Sequence, residues 1–189
     1  MKYKILLASK SPRRREIFNL LKIPFTVVTI EGIDESYPSD LPAEKVAEYI
    51  SNKKADEFLK NIGDNEMIIT ADTVVICEGK ILGKPSDSEN AVRMLKFLSG
   101  KTHIVTTGVT VATKDKRVSF SAATYVTFGD LTDDEIRFYV ETCRPLDKAG
   151  AYGIQEWIGA VAVSKIEGSF YNVVGLPVHR LYQTLKLFD

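Results

Sequence analysis

Apolar residues along the chain follow two alternating periods. Ile5 to Ala8, Phe25 to Ile30, Met67 to Ile76, His103 to Ala112, Val118 to Phe128 and Ala160 to Ile166 are runs rich in Val, Ile, Thr and Phe, and they predict strands. Arg13 to Lys22, Ala43 to Lys60, Asp87 to Leu98, Asp133 to Thr142 and Val178 to Leu187 place apolar residues at helical spacing and predict helices. Start signals agree: Ser86-Asp87 precedes the third helix, and Thr132 with Glu135 makes a capping box before the fourth. Gly63-Asp64-Asn65, Glu78-Gly79 and Lys114-Asp115-Lys116 mark turns, several of which join neighbouring strands as hairpins. The expectation is an α/β fold on a mixed sheet, organised as one domain over residues 1–189, with no internal repeat and no long linker.

Charged residues that break this pattern carry the chemistry. The first strand runs through Ser9-Lys10-Ser11-Pro12 into Arg13, Arg14 and Arg15. Ser11 suits an N-cap and Pro12 the first helical position, so the arginines fall in the opening turn, where the helix already presents partial positive charge. An anion reverses the sign of that arrangement, because free N–H groups, a serine hydroxyl and guanidinium forks then converge on it. Asp72 interrupts the most apolar strand; Asp is a poor strand former and costly to bury alone, so it calls for a partner, a metal or a task. Lys54 lies on the same helical stripe as Ala47, Ile50 and Phe58, so it points inward and either snorkels or reaches an interior anion. With Glu78-Gly79 as a two-residue loop, Lys84 comes opposite Thr73, and a bulge at Gly83 or the strand end would be needed to aim Lys84 and Asp72 the same way. Asp34 and Glu35 occupy a turn after the second strand.

Composition narrows the function classes. The 189 residues carry 25 basic and 25 acidic side chains, so no global field draws the chain to nucleic acid or to an anionic membrane. Cys77 and Cys143 stand far apart without a metal-type cluster, no run of about 18 apolar residues occurs, and no leader-like apolar stretch follows Met1; a cytoplasmic location is expected. Neither GxxxxGK[ST] nor GxGxxG occurs, which argues against a P-loop or dinucleotide-binding fold. His103 lacks a neighbouring serine or cysteine nucleophile and His179 lies near the start of the last helix, and both are read as structural. Two glycine-punctuated loops, Lys148 to Gln155 and Gly168 to Pro177, suit close approach to a planar base whose edge Gln155 reads.

Taken in order, Leu7-Ala8-Ser9-Lys10-Ser11-Pro12-Arg13-Arg14, Ala71-Asp72-Thr73-Val74-Val75, Gly83-Lys84-Pro85, Leu98-Ser99-Gly100-Lys101-Thr102-His103, Gly150-Ala151-Tyr152-Gly153-Ile154-Gln155 and Gly168 to Pro177 resemble the Maf family of nucleotide pyrophosphatases. The resemblance implies a fold like that of inosine triphosphate pyrophosphatase: an elongated mixed β-sheet flanked by helices, with two lobes and a central cleft. It implies hydrolysis of dTTP and UTP, with modified pyrimidine nucleotides as further candidates, to the monophosphate and pyrophosphate. By the same resemblance Ser9, Arg13 and Arg14 grip phosphates, and Asp72 is the catalytic carboxylate, with Glu35, Lys54 and Lys84 as further catalytic residues. Arg13, Thr73 and Gln155 match the subgroup that takes pyrimidine substrates. Asp72 and Glu35 would hold a divalent metal, Mg²⁺ with Mn²⁺ as the alternative, and a homodimer is expected. Glu156-Trp157 departs from the family's pattern of smaller residues after the Gly-Ile-Gln. A competing class is a non-catalytic nucleotide sensor acting in cell division or septum formation. A third reading, RNA binding through Arg13 to Arg15, sits poorly with zero net charge.

Overall fold

The computed structural model describes residues 2–188. Local chemistry starts the elements where the sequence expects them. Ser11 caps helix α1 (Pro12–Asn19), its hydroxyl accepting from the Arg14 N–H at 3.5 Å, and Pro12 opens the first turn. Asp87 caps α3 (Ser88–Leu98), and Thr132 and Glu135 close a full capping box on α4 (Asp133–Cys143).

The strands β1 (Lys4–Ala8), β2 (Phe25–Val28), β3 (Glu66–Cys77), β4 (Lys80–Leu82), β5 (Thr102–Ala112), β6 (Arg117–Phe128) and β7 (Val163–Glu167) form one sheet in the order β2-β1-β3-β5-β6-β7, with β4 on β3. It is mixed: β1 runs parallel to both β2 and β3, whereas β3/β4 and β6/β7 are antiparallel. Helices α2 (Ala43–Leu59), α5 (Trp157–Ala162), α6 (Phe170–Val174) and α7 (Val178–Leu185) complete the helical layers flanking the sheet. Among the described residues no helix is long and apolar enough to cross a membrane.

Strand β3 changes neighbours midway. Its first half pairs with β1 up to Ala8↔Thr70, and its second half pairs with β4 from Val75↔Leu82 onward. Asp72 falls between those two pairings, on the strand whose neighbour β1 has just ended at Ala8. The β3/β4 register is the one the Glu78-Gly79 turn predicts, but pairing stops at Leu82, so Gly83 and Lys84 lie beyond the strand rather than in a bulge.

Three expectations need correction. The run from Ala160 to Ile166 is not all strand: residues 157–162 are helix and only Val163–Glu167 is extended. Val, Ala and Gly read as strand locally, but Ile158 and Ala162, four apart, both bury against the core, and Gly159 lets the helix abut Ile154, whose carbonyl oxygen would stand 1.7 Å from a Cβ. The loop from Gly168 to Pro177 contains α6, held by Asn172, whose side-chain N–H groups donate to the Val105 carbonyl at 3.0 Å and the Thr124 hydroxyl at 2.9 Å. The second strand ends at Val28, two residues short of its expected end.

The chain divides into two compact units. One holds the residues up to Asp72, Thr107–Ala122 and those from Gly175 onward; the other holds Thr73–Thr106 and Ala123–Val174. In the first, Leu6, Ile62, Ile68 and Ala112 form a core cluster with Val28, Phe58 and Leu59 against it. Helix α2 lies directly on β5 at Gly108, where a Cβ would stand 2.2 Å from the Glu48 nitrogen. Gly108→Ala is therefore expected to lower unfolding free energy by about 3 kcal/mol, since backbone on both sides must move, read as a shifted urea midpoint.

In the second unit α3, α4 and α5 close over Leu95, Leu98, Val126, Phe128, Tyr139 and Ile158. His103 is buried here at 1% exposure, its Nε2 2.7 Å from the Tyr152 hydroxyl and its ring edge-on to Phe128. Burial disfavours the imidazolium and lowers its pKa from 6.5 to about 4. The unfolded chain then binds the proton first, so stability is complete above pH 6.5 and falls as pH drops towards 4, by up to about 3 kcal/mol. His103→Leu should flatten that segment of the stability–pH curve measured by urea unfolding.

Candidate active site

Three of the sequence-predicted residues meet at one ammonium group in the first unit. Lys54 on α2 reaches Asp72 Oδ1 at 2.8 Å and Glu35 Oε1 at 2.9 Å. Lys54 and Asp72 are each only 15% exposed at the side chain, so the pair is largely withdrawn from water, while Glu35 at 55% approaches from the surface. The inward stripe on α2 explains the direction: Ala47 and Ile50 are buried, and Lys54 follows them onto the same face. The strand-breaking carboxylate has thus found its charge partner, and Lys54 is an interior cation rather than a snorkelling one.

The arginine turn lies within the same unit and feels the same charges. Arg14 donates through Nε to the Gly175 carbonyl at 2.8 Å, which fixes its guanidinium. Desolvation lowers the Arg14 pKa below its ordinary value, Asp72 opposes that shift, the neighbouring Arg13 adds to it, and Glu35 opposes it. Ser9 is buried at 6% exposure; its hydroxyl accepts from the Ser11 N–H at 3.2 Å, and its carbonyl accepts from Arg15 at 3.4 Å. Arg15 therefore braces the loop. Ser9, Arg13, Arg14, Glu35, Lys54 and Asp72 all belong to the first unit, whereas Thr73, Lys84 and Gln155 belong to the second. There, Lys84 and Gln155 are exposed and Thr73 is half-buried.

The model of the family described as Maf-like protein matches residues 4–188. The chain belongs to that family. A Bacteroides thetaiotaomicron relative named dTTP/UTP pyrophosphatase is 51% identical over 185 residues, covering 98% of this chain and 96% of that protein. A Porphyromonas gingivalis relative of the same name is 52% identical over 99% of this chain and 95% of its own. One from Christiangramia forsetii, also so named, is 45% identical over 97% and 93%. Among solved structures, the Ham1 protein of Staphylococcus aureus superposes with a TM-score of 0.59 at 17% identity, over 98% of this chain and all of that one, so the fold is shared.

Among the described residues no group of three or more His, Cys, Asp and Glu side chains comes together. Asp72 and Glu35, the two carboxylates converging on the Lys54 ammonium, are the hard oxygen donors that would hold a divalent ion here.

Sequence reasoning missed the parts that support these groups. Lys53, next to Lys54, bonds Asp34 Oδ2 at 2.8 Å and the Ser36 carbonyl at 2.9 Å, gripping the residues on either side of Glu35. Asp34 Oδ1 also accepts from the Ser36 N–H at 2.9 Å. These bonds, those of Lys53 first, hold the Asp34 carboxyl well below the usual carboxylate range. The adjacent lysine doublet was the available signal. A row of hydroxyls seats α2: Thr70 donates to the Ser51 carbonyl at 2.6 Å, and Ser51 and Thr110 meet at 2.9 Å. The threonines of β3 and β5 read as ordinary strand formers, which is why their second role stayed hidden. Lys54→Met should leave two facing carboxylates without their cation and cost about 2 kcal/mol, somewhat less than a fully enclosed pair. An unchanged urea midpoint would show that the ammonium contributes nothing to stability.

Proposed function

We propose that this chain hydrolyses dTTP and UTP at the α–β phosphoanhydride, releasing the monophosphate and pyrophosphate, and that it works as one Maf-like domain. The observation that carries the reading is the Lys54 ammonium held between Asp72 and Glu35 beside the arginine turn. A hydrolase of phosphoanhydrides needs cations for the leaving group and one carboxylate to direct water. The relatives near 50% identity that bear the name dTTP/UTP pyrophosphatase support the substrate class.

In this reading Asp72 orients the attacking water and accepts its proton as the bond to the α-phosphorus forms. Burial beside Lys54 keeps that carboxylate in one orientation. Ser9, Arg13 and Arg14 bind phosphate oxygens, since a helix start that already carries positive charge gains from an anion placed there. Lys54 and Lys84 neutralise charge on the departing pyrophosphate. Thr73 and Gln155 select the pyrimidine, Gln155 through its amide. Asp72 and Glu35 would hold a divalent ion, Mg²⁺ or Mn²⁺, which when bound supplies charge neutralisation along the phosphate chain. Cytoplasmic operation as a homodimer completes the proposal; the resemblance supports both, and sedimentation of the purified chain tests the dimer.

Asp72→Asn preserves shape and removes the charge. Turnover of dTTP with Mg²⁺ should fall by at least about a hundredfold while nucleotide affinity stays within about threefold. Resolving the products by phosphorus NMR decides the reaction: pyrophosphate with the monophosphate supports it, whereas orthophosphate, or tight binding with no product, overturns it in favour of another hydrolysis or a sensor.

A further inference from the structure

The Gly153–Glu156 turn of the second unit is held from three sides. The Glu156 N–H donates to the Gly153 carbonyl at 2.9 Å, closing the turn with Ile154 buried and Gln155 exposed at its tip. Glu156 occupies the N-cap position of α5, yet its side chain makes no capping bond to that helix. It turns inward instead. Its Oε2 accepts from the hydroxyl of fully buried Tyr139, and its Oε1 lies 3.1 Å from the ammonium of Lys148, whose side chain is 8% exposed. The same Tyr139 oxygen accepts from the Gly153 N–H at 3.0 Å. One phenol therefore ties both ends of the turn, and one lysine locks the carboxylate that the phenol holds. Lys148 is itself held by Asp147 at 2.8 Å.

A Ser, Asp or Asn at 156 would cap α5, whereas Glu156 commits its half-buried carboxylate to Tyr139 and Lys148 instead. The Glu156 N–H bond to the Gly153 carbonyl, and the Tyr139 hydroxyl shared between the Gly153 N–H and the Glu156 carboxylate, act on the turn that presents Gln155. We infer that Glu156, with Tyr139 and Lys148, is a specificity-positioning residue: the network fixes the direction in which the Gln155 amide meets a nucleotide base. A polar edge is discriminated only when the reading amide is held still, because a mobile amide adapts its donor and acceptor to either base. The inference rests on the reading of Gln155 as the group that meets the base.

The experiment compares kcat/KM for UTP and for GTP, with Mg²⁺, in the full chain and four variants. Gln155→Ala tests the underlying reading, and an unchanged UTP/GTP ratio there overturns that reading whatever the others do. With Gln155→Ala collapsing the ratio, Glu156→Leu should lower it by about tenfold through a higher GTP rate and a weaker UTP KM, while kcat for UTP stays within about threefold. Glu156→Gln still accepts from Tyr139 and should restore most of the discrimination. Tyr139→Phe keeps the core volume while releasing both ends of the turn, and it decides the matter if Glu156→Leu does not fold. A folded Glu156→Leu or Tyr139→Phe with the parent ratio, or one that loses kcat equally for both nucleotides, overturns the inference.

Discussion

An ammonium group placed between two carboxylates, mostly out of water, is tolerated only if the surrounding backbone holds all three in register. Lys54, Asp72 and Glu35 come from a helix, a strand and an irregular loop, so their meeting constrains three kinds of structure at once. The helix must sit at a fixed height on the sheet, the strand must present an acid where its neighbour has ended, and the loop must fold back. Each demand is met by a different device, and the devices account for much of the first unit.

The height of α2 is set by contact rather than by propensity. Gly108 lets the helix backbone press against β5, and the Ser51–Thr110 and Thr70–Ser51 bonds add directional restraint. The loop is restrained by Lys53, which takes Asp34 and Ser36 and leaves Glu35 facing Lys54. Successive lysines thus serve two sides of one turn. The strand contributes through its change of partner: β1 stops at Ala8, and the acid stands two residues past the last pair. Open sheets characteristically bind ligands beyond the carboxyl ends of parallel strands, and β1 and β2, ending together at Ala8 and Val28, reproduce that circumstance where Ser9 and the arginine turn begin.

The second unit uses buried polarity differently. His103 is kept neutral by its surroundings, whereas Glu156 is paired with Lys148 and accepts from Tyr139. A neutral imidazole between aromatic rings adds cohesion, and its hydrogen bond to Tyr152 orients that ring. A charged network under a turn adds rigidity to the turn, so the two unusual polar groups of this unit stabilise packing in one case and conformation in the other.

Much of this was legible from residues alone. Ser11-Pro12 and Thr132 with Glu135 dictated helix starts because a cap is a bond between near neighbours, and the Glu78-Gly79 turn dictated register because two residues leave the chain one way back. The inward aim of Lys54 followed from the period of its helix, and membership of the Maf-like family followed from six ordered segments. Tertiary structure decided the rest. Whether Trp157–Ala162 became helix depended on the packing of Ile158 and Ala162, and which acid an interior lysine would meet depended on where a loop folded. Short-range bonds are written in adjacent side chains; partners such as Glu156 and Tyr139, or Thr70 and Ser51, become neighbours only after separate elements pack, so their attraction leaves no local trace.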